Sequence, residues 1–462
     1  MPIDPRSELT GIAWPAVPSA QGATMLAAQL QFRHAERMAP AARRGLQLRQ
    51  AGRLLRHARR HCPAYRDRLP AIAADDDEAP TAAEWTEIPV LTRAEVQSLG
   101  GALDSAAPPD GHGALSSVTT SGATGRPVTV RKTKLAGFFW YATTLRQHLW
   151  FDRDLSAKLA VIRHFPDTAA ARPPDGDRLA NWGAAGATVF ESGPCVMLAI
   201  RSDIDAQVDW LLREAPDYLL SYPSNLLAVA RRLDARGAGL PSLRATMTIS
   251  EMLPAAVRDE IGARLGVPNA DSYSAQEAGY LALQCPAGAG YHVPAETVLL
   301  EVLDDRGVPC PPGAVGRVVV TPLHNFATPL IRYDIGDFAE VGPAQVCPCG
   351  RTLPTLARIA GRTRNLVTLP DGTRHWPAFG ESRFAGVAPV RQHQFVQRTV
   401  DEVEARLVVD RPITAGEEER LARIIQDRLG YPFAIAFTYH DDIPRGAGDK
   451  YEEFVSLLDA GG

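Results

Sequence analysis

The amino-acid sequence predicts an α/β protein with a large N-terminal α/β domain, which includes a β-rich subdomain, and a small α+β C-terminal domain. Three observations support this prediction. Strand-length apolar runs alternate with helical segments, strand patterns without helices follow them, and the pattern changes after Gly361 and Arg362. Such alternation is typical of sheets that are covered by helices. We therefore place the two domains at residues 1–361 and 362–462.

The chain is expected to begin with surface segments and helices. Residues 1–27 have no clear hydrophobic periodicity, whereas residues 31–60 have helical spacing that Pro40 interrupts. The many arginines of this stretch could face nucleic acid or lipid. The simpler interpretation is a solvated helix face opposite an apolar face. That apolar face consists of Leu46, Leu54, Leu55 and Ala58.

The remaining elements follow in order. The α/β pattern is carried by strand runs at residues 159–163 and 245–249 and by helical segments at residues 204–213 and 225–236. The β-rich subdomain is predicted from strands at residues 297–303 and 316–321. The C-terminal domain is predicted from strands at residues 404–409 and 433–439, a helix at residues 415–429 and a final helix after Lys450.

Composition and charge exclude several classes of protein. The 462 residues carry a formal net charge of −4, which argues against a protein that coats nucleic acid. Six cysteines are too few for a disulfide-stapled secreted module. The first residues lack a signal peptide, and no apolar run is long enough to span a membrane. We therefore expect a cytoplasmic protein without a membrane or nucleic-acid partner.

The strongest local signal is the run at residues 116–127, Ser-Ser-Val-Thr-Thr-Ser-Gly-Ala-Thr-Gly-Arg-Pro. Hydroxyl groups and exposed backbone N–H groups in such a glycine-containing turn can surround phosphate oxygens. The run is not a Walker loop, because the lysine that should follow its glycines is missing. A polar hairpin turn is the alternative interpretation.

This run resembles the phosphate loop of the adenylate-forming superfamily, which includes acyl-CoA synthetases, luciferases and adenylation domains of peptide synthetases. Further stretches resemble the other motifs of that superfamily in the expected order: residues 273–279, 332–337, 361–365 and 444–450. The resemblance is closest to the phenylacetate–CoA ligase branch. Residues 221–225, 330–333 and the Cys-Pro-Cys-Gly-Arg run at 347–351 carry that likeness.

The resemblance implies a role for each motif. Tyr273 would stack on adenine, Glu277 would reach Mg²⁺, Asp337 would bind the ribose hydroxyls, and Arg364 would lie at the hinge of a mobile C-terminal domain. Catalytic roles fall on Lys450 and Glu277. The residues expected to bind ATP are Thr119, Thr120, Ser121, Gly122, Thr124, Gly125, Ser250, Glu251, Tyr273, Ser274, Asp337 and Arg362.

The chain departs from the superfamily pattern at three places. Gln276 stands where Ser or Thr is usual, and Arg364 and Asn365 replace the commoner hinge residues. Asp449 stands where glycine usually precedes the lysine, so it could pair with Lys450. A non-catalytic relative therefore remains an alternative to an enzyme.

The resemblance implies an acid that is adenylated with ATP and Mg²⁺ and then transferred to coenzyme A. The branch favours aryl or arylacetic acids, but some relatives activate unusual small acids such as nitrite. A carrier protein or an amine could replace coenzyme A as the acceptor, and a homodimer is compatible with the sequence. Four residues are candidates for the acid pocket, with simple core packing as the alternative: His164, Phe165, Trp182 and Tyr222.

A zinc site is the last expectation. Cys285, His292, Cys347 and Cys349 supply three thiolates and one imidazole, a ligand set that suits tetrahedral zinc. The alternative is that the cysteines are small buried hydrophobic residues. Some members of the resembling branch carry a structural zinc on this set, which favours the metal site.

Overall fold

The computed structural model describes residues 5–69, 79–120, 127–165, 171–288, 290–377, 384, 386–446 and 450–458. Five residues singled out above lie outside these ranges: Ser121, Gly122, Thr124, Gly125 and Asp449.

The helices and strands are numbered along the chain. The helices are α1 (Ala20–Ala35), α2 (Pro40–His61), α3 (Ala82–Glu87), α4 (Arg93–Leu99), α5 (Lys134–Trp150), α6 (Ala184–Ala187), α7 (Ile204–Glu214), α8 (Pro223–Ala235), α9 (Ala255–Leu265) and α10 (Ala415–Leu429). The first strands are β1 (Leu115–Thr119), β2 (Thr129–Thr133), β3 (Leu159–Arg163), β4 (Asp177–Leu179), β5 (Cys195–Ala199), β6 (Tyr218–Ser221), β7 (Ala245–Thr248), β8 (Asn269–Ala275), β9 (Gly279–Gln284) and β10 (Tyr291–His292). The later strands are β11 (Val298–Leu303), β12 (Val315–Pro322), β13 (Tyr333–Val341), β14 (Thr355–Arg362), β15 (Val367–Thr368), β16 (Arg374–His375), β17 (Val390–Gln397), β18 (Glu402–Val409), β19 (Ala434–Tyr439) and β20 (Phe454–Ser456).

One mixed sheet forms the centre of the N-terminal domain. Over the described residues its strands lie in the order β11-β12-β13-β14-β10-β9-β8-β7-β6-β3-β5-β4. The strands from β5 through β3, β6 and β7 to β8 are parallel. Helix α7 connects β5 to β6, α8 connects β6 to β7, and α9 connects β7 to β8. From β8 to β11 the pairing is antiparallel. This arrangement confirms the predicted α/β domain with its β-rich part.

The C-terminal domain has its own sheet and core. Its strands lie in the order β19-β18-β17-β20, and α10 packs against them through Leu421, Ile425 and Leu429, which are buried with Phe395 and Phe433. Helix α10 begins with a capping box. The Thr414 side chain accepts from the backbone N–H of Glu417, and the Glu417 side chain accepts from the backbone N–H of Thr414. The predicted α+β unit is therefore confirmed, whereas the boundary between Gly361 and Arg362 stays a prediction.

Two elements differ from the sequence-based expectation. Helix α1 begins at Ala20, well inside the region that was expected to lack periodic structure. Alanines on both of its faces hide the period, although Met25 and Phe32 are buried. The predicted final helix is wrong: the chain after Lys450 forms β20, which pairs in parallel with β17.

The arginine-rich helix α2 also differs in detail. Leu54 is buried as expected, but Leu46 is 47% exposed, so the apolar face is narrower than predicted. Arg43 is buried, and its guanidinium donates to the main-chain oxygen of Thr352 at 2.5 Å. Part of the expected solvated face thus packs on the domain. Among the described helices, none is both long and apolar enough to cross a membrane.

Candidate functional site

Asp337 is the centre of the first part of the site. It lies on β13 in register with Arg362 of the neighbouring β14, so the two side chains are adjacent. Arg362 Nε donates to Asp337 Oδ1 at 3.0 Å, and the Tyr273 hydroxyl on β8 donates to Oδ2 at 2.7 Å. Burial and the neighbouring Asp337 raise the pKa of Tyr273 well above its usual value, so the phenol keeps its proton. Three residues of separate predicted motifs therefore meet at one carboxylate.

Glu277 is held near the phosphate loop by an arginine that sequence analysis missed. Glu277 is only 6% exposed, and its Oε1 lies 3.8 Å from Arg93 Nη1. Arg93 also donates to the Thr120 hydroxyl at 3.1 Å and to the Tyr333 hydroxyl at 3.4 Å. The sequence around Arg93 indicates only the start of a helix, because Thr92 and Glu95 form a capping box there. The packing of α4 against β13 creates this connection, and no local signal indicates it.

The described ends of the phosphate loop form a hairpin. Strands β1 and β2 are antiparallel, with Thr119 opposite Thr129 and a contact of 2.9 Å between their hydroxyl oxygens. The Thr120 hydroxyl accepts a hydrogen bond from the Val128 backbone at 2.9 Å. The described flanks thus pair as the hairpin interpretation expects. Phosphate binding by residues 121–126, which lie outside the described residues, stays a prediction.

Glu251 connects the two domains. Its side chain is 5% exposed, and it accepts hydrogen bonds from the backbone N–H of Ser224 at 3.1 Å and of Tyr451 at 2.7 Å. Arg445 Nη1 lies 3.4 Å from the same carboxylate and donates to the Ser224 hydroxyl at 2.9 Å. Burial raises the pKa of Glu251, and Arg445 and the N–H donors oppose that rise. We call these four residues the Glu251 clamp.

The clamp holds the loop of Lys450 against the N-terminal domain. Burial lowers the pKa of Lys450, and Arg362 adds to this, whereas Asp337, Glu251 and Glu277 attract its positive charge. Lys450 is therefore subject to the charges of all three carboxylates, and its own ammonium can offset negative charge on a phosphate group brought into the site.

The two residues predicted to lie at the hinge have partners close in sequence to Lys450. Arg364 Nε donates to Glu452 Oε1 at 2.8 Å, and Asn365 Nδ2 donates to the main-chain oxygen of Phe454 at 2.7 Å. Both contacts join the segment after β14 to the segment that contains β20. The two departures from the superfamily pattern thus hold these two segments of residues 362–462 together.

A small cavity lies beside Glu277, and sequence analysis missed most of its lining. Lys132 borders it, and its Nζ donates to the main-chain oxygen of Gln276. Burial lowers the pKa of Lys132 to about 8, although Glu277 acts in the opposite direction. The aromatic lining consists of Phe139, Trp140, Tyr280 and His324. The aromatic run at residues 138–141 was the available signal.

The four residues predicted for the acid pocket lie elsewhere. Trp182 packs in a core cluster, where its Nε1 donates to the main-chain oxygen of Ala157 at 2.8 Å, and Phe165 packs against the same cluster. The backbone N–H of His164 donates to the buried Tyr222 hydroxyl at 3.4 Å. Among the described residues that line the cavity beside Glu277, none belongs to this set. A contact with the acid stays a prediction for these four.

Ser250 and Ser274 lie beside the residues described above. Ser250 precedes Glu251 and has a positive φ of 72°, which turns the chain sharply after β7. Its hydroxyl lies against that of Tyr222. Ser274 follows Tyr273 on β8. Their contacts with ATP stay predictions.

The structure brings together the four expected metal ligands. The candidate ligand atoms of Cys285, His292, Cys347 and Cys349 all lie within 4.8 Å of one another. The sulfurs of Cys285 and Cys347 are 3.5 Å apart, and Cys349 Sγ is 3.3 Å from His292 Nε2. Tetrahedral zinc with bonds of about 2.0–2.3 Å separates its ligands by about 3.3–3.8 Å.

The surroundings also fit a metal. Burial lowers the pKa of His292 to about 4, with a further contribution from Arg351, so the imidazole is neutral and can coordinate. Burial acts to raise the pKa of the Cys349 thiol, but hydrogen bonds that involve Arg351 outweigh this effect and lower the pKa. Trp150 meets the His292 ring edge to face at 5.7 Å, which shields this side of the cluster. The residues present therefore fit a closed tetrahedral site.

Comparisons with known proteins show similar sequences. Residues 381–456 match the family described as the CapK C-terminal domain. The chain is 28% identical over 271 residues to the phenylacetate–coenzyme A ligase of Thermus thermophilus, which covers 52% of this chain and 60% of that ligase. It is 24% identical over 445 residues to the Escherichia coli ligase of the same name, covering 88% of this chain and 94% of the relative.

Solved structures show the same architecture. A 2-hydroxyisobutyryl-CoA ligase in its postadenylation state superposes with a TM-score of 0.71 at 18% identity, and 92% of each chain is covered. An anthranilate CoA ligase in complex with anthranoyl-AMP superposes with a TM-score of 0.53 over 72% of this chain and 64% of that chain, at 17% identity. The predicted resemblance is therefore confirmed: this chain is similar in sequence to phenylacetate–coenzyme A ligases and has the same fold as these CoA ligases of known structure.

Proposed function

We propose that the protein is an ATP- and Mg²⁺-dependent ligase that adenylates an organic acid and then transfers the acyl group to coenzyme A. One observation carries the proposal: the backbone N–H of Tyr451, the residue after Lys450, donates at 2.7 Å to the buried Glu251, which ties the segment of the predicted catalytic lysine to the N-terminal domain. Adenylation needs a cation near the carboxylate and the α-phosphate, because both are negative before they react.

Each group has a defined task in this proposal. Asp337 accepts hydrogen bonds from the ribose hydroxyls, for which its ionised carboxylate has several lone pairs. The phosphate loop and Arg93 orient the phosphates, and Lys450 offsets the charge that develops as the acid oxygen attacks phosphorus. Glu277 is the carboxylate that would hold Mg²⁺, which supplies positive charge to the phosphates when bound. Tyr273 holds the Asp337 carboxylate in place.

Other acceptors are compatible with the same first step. A carrier protein or an amine could take the acyl group, and a non-catalytic relative would bind nucleotide without turnover. ATP–pyrophosphate exchange with a panel of acids, followed by loss of free thiol after coenzyme A is added, separates these cases. Exchange together with thiol loss supports the ligase, exchange without thiol loss supports another acceptor, and nucleotide binding without exchange supports the non-catalytic protein.

We also propose that the four-ligand cluster binds structural zinc. The ligand set, their mutual distances and the neutral imidazole support this assignment. The cluster lies where β10 meets β9 and β14, so a bound ion would hold strands of the large sheet together. Its ligands leave no position for a substrate, which is typical of structural zinc.

The zinc assignment predicts about one zinc per chain in the purified protein, measured by elemental analysis. Cys349→Ser should lose most of the metal and lower the melting temperature, because the site contributes to folding. Cys310→Ser, at a cysteine outside the cluster, is the matched control and should keep the metal. Zinc-free protein of normal stability would contradict the assignment.

The ribose assignment predicts that Asp337→Asn weakens ATP binding by about ten- to over a hundredfold in calorimetry. The reason is that a hydrogen bond to a charged group contributes roughly 1.5–3 kcal/mol. Asp334→Asn is the control, since this carboxylate on the same strand pairs with Arg317 at 2.9 Å. Equal ATP affinity of wild type and Asp337→Asn would refute the ribose contact.

The lysine assignment predicts that Lys450→Ala slows pyrophosphate exchange by about a hundred- to a thousandfold, as loss of one preorganised charge does. Transfer from a synthetic acyl adenylate should remain within a few-fold of the wild-type rate, because the adenylated acid no longer needs that charge. The two rates are measured separately on the same preparation. Equal slowing of both steps, or intact exchange, would show that Lys450 has another role.

A further inference from the structure

Two polar side chains in the cavity beside Glu277 have no task in the adenylation chemistry. Lys132 projects from β2, and its Nζ lies 5.6 Å from the centre of the Trp140 ring. His324 stacks on Phe139 with ring centres 3.8 Å apart. Its Nδ1 is buried and makes no hydrogen bond to any residue in the described part of the chain. Both groups border the same cavity as Glu277.

The cavity is small. Its volume is about 40 Å³, counted as space open to the centres of water molecules. One water needs roughly 10–15 Å³ on that measure, so the cavity holds about three waters or a group of three to four non-hydrogen atoms. An apolar cavity that binds benzene has a volume of about 150 Å³. A benzene ring therefore does not fit without rearrangement of the walls.

Two residues of the polar lining, Lys132 and His324, have hydrogen-bonding groups without a partner among the described residues. Thr143 donates to the Phe139 main-chain oxygen, and Asn325 donates to the main-chain oxygens of Arg131 and Thr328. In contrast, the hydrogen bonds between described residues engage only one of the three N–H groups of Lys132. A partly desolvated ammonium with spare N–H groups attracts oxygen acceptors.

The aromatic walls strengthen this preference. Burial lowers the pKa of His324 to about 3, so its ring is neutral and can donate from one nitrogen and accept at the other. The lining also includes the rings of Phe139 and Trp140, which offer no in-plane hydrogen-bond acceptor, and the Tyr280 hydroxyl, which already accepts from Thr144 at 3.1 Å. An apolar acyl chain would leave two N–H groups of Lys132 and Nδ1 of His324 without partners among the described residues, at a cost in affinity.

We propose, on the basis of the adenylation function proposed above, that the activated acid is short and carries a second oxygen-bearing group at its far end. This group is a hydroxyl, an oxo group or a second carboxylate. It accepts a hydrogen bond from Lys132 Nζ and meets Nδ1 of His324, while the first carboxylate faces Glu277 and Lys450. Lys132 and His324 are thus specificity-determining residues, and aryl and arylacetic acids are poor substrates.

The test is ATP–pyrophosphate exchange with acids of matched length. Glycolate, glyoxylate, malonate and succinate represent the three second groups, acetate, propionate and butyrate lack one, and benzoate, phenylacetate and nitrite complete the panel. Wild type should show a kcat/KM at least about tenfold higher for a member of the first group than for its apolar counterpart. The acid with the highest kcat/KM shows whether the preferred far-end group is a hydroxyl, an oxo group or a second carboxylate.

Variants of the cavity lining then test the residues. Lys132→Met should reduce the ratio of kcat/KM between the preferred acid and its apolar counterpart by about ten- to a hundredfold. His324→Phe, which can keep the stack on Phe139, should reduce the same ratio. Lys134→Met is the matched control, because this exposed lysine lies outside the cavity, and its ratio should equal that of wild type.

The outcomes separate this inference from the proposed function. Better exchange with aryl acids, exchange with nitrite alone, or an unchanged ratio in Lys132→Met would overturn the inference and leave adenylation intact. Exchange with none of the acids by wild type that binds ATP normally would overturn the proposed function, and the inference with it.

Discussion

The buried carboxylates between the two domains are the constraint on which the site depends. Glu277 and Asp337 are less than one-tenth exposed, and the side chain of Glu251 is 5% exposed. An ionised carboxylate removed from water destabilises the protein by several kcal/mol unless donors or cations compensate it. Arg93 of α4 supplies such a partner for Glu277, and Arg362 of β14 supplies one for Asp337. Glu251 instead depends on the C-terminal loop.

Under the proposed function, that dependence would couple the position of the C-terminal domain to adenylation. Glu251 accepts from the backbone N–H of Tyr451, the residue after Lys450, so the segment that satisfies the clamp also positions the lysine. The contacts of Arg364 and Asn365 with Glu452 and Phe454 join segments that both follow residue 361, so they hold β20 to the residues after β14. Separation of the Glu251 clamp would return its groups to water, which offers replacement hydrogen bonds.

Much of the site could be predicted from sequence because its motifs are local. Tyr273, Asp337 and Arg362 each occur in a short recognisable stretch, and the register of β13 and β14 then joins two of them. The candidate metal ligands were predictable because thiolates and imidazole are rare and chemically specific. Arg93 and Lys132 were missed for the opposite reason: only long-range packing brings these ordinary basic residues to the site.

The secondary-structure elements likewise include some that local sequence predicts and others that depend on contacts with distant residues. Helix α10 was predictable from a strong apolar period that lies between clear caps. The alanine-rich start of α1 carries no such period. Strand β20 exists because β17, far away in sequence, offers it an edge, so the short segment alone does not determine its conformation.

The most direct test of the central claim is hydrogen–deuterium exchange of the segment 450–458 in wild type and Glu251→Ala, followed by mass spectrometry. If the clamp places Lys450, loss of the carboxylate should speed exchange of the Tyr451 amide by about ten- to over a hundredfold. Glu260→Ala removes a carboxylate that pairs with Arg231 and Arg264 away from the interface, and it should leave this segment unchanged. Exchange in Glu251→Ala as slow as in wild type would contradict the account.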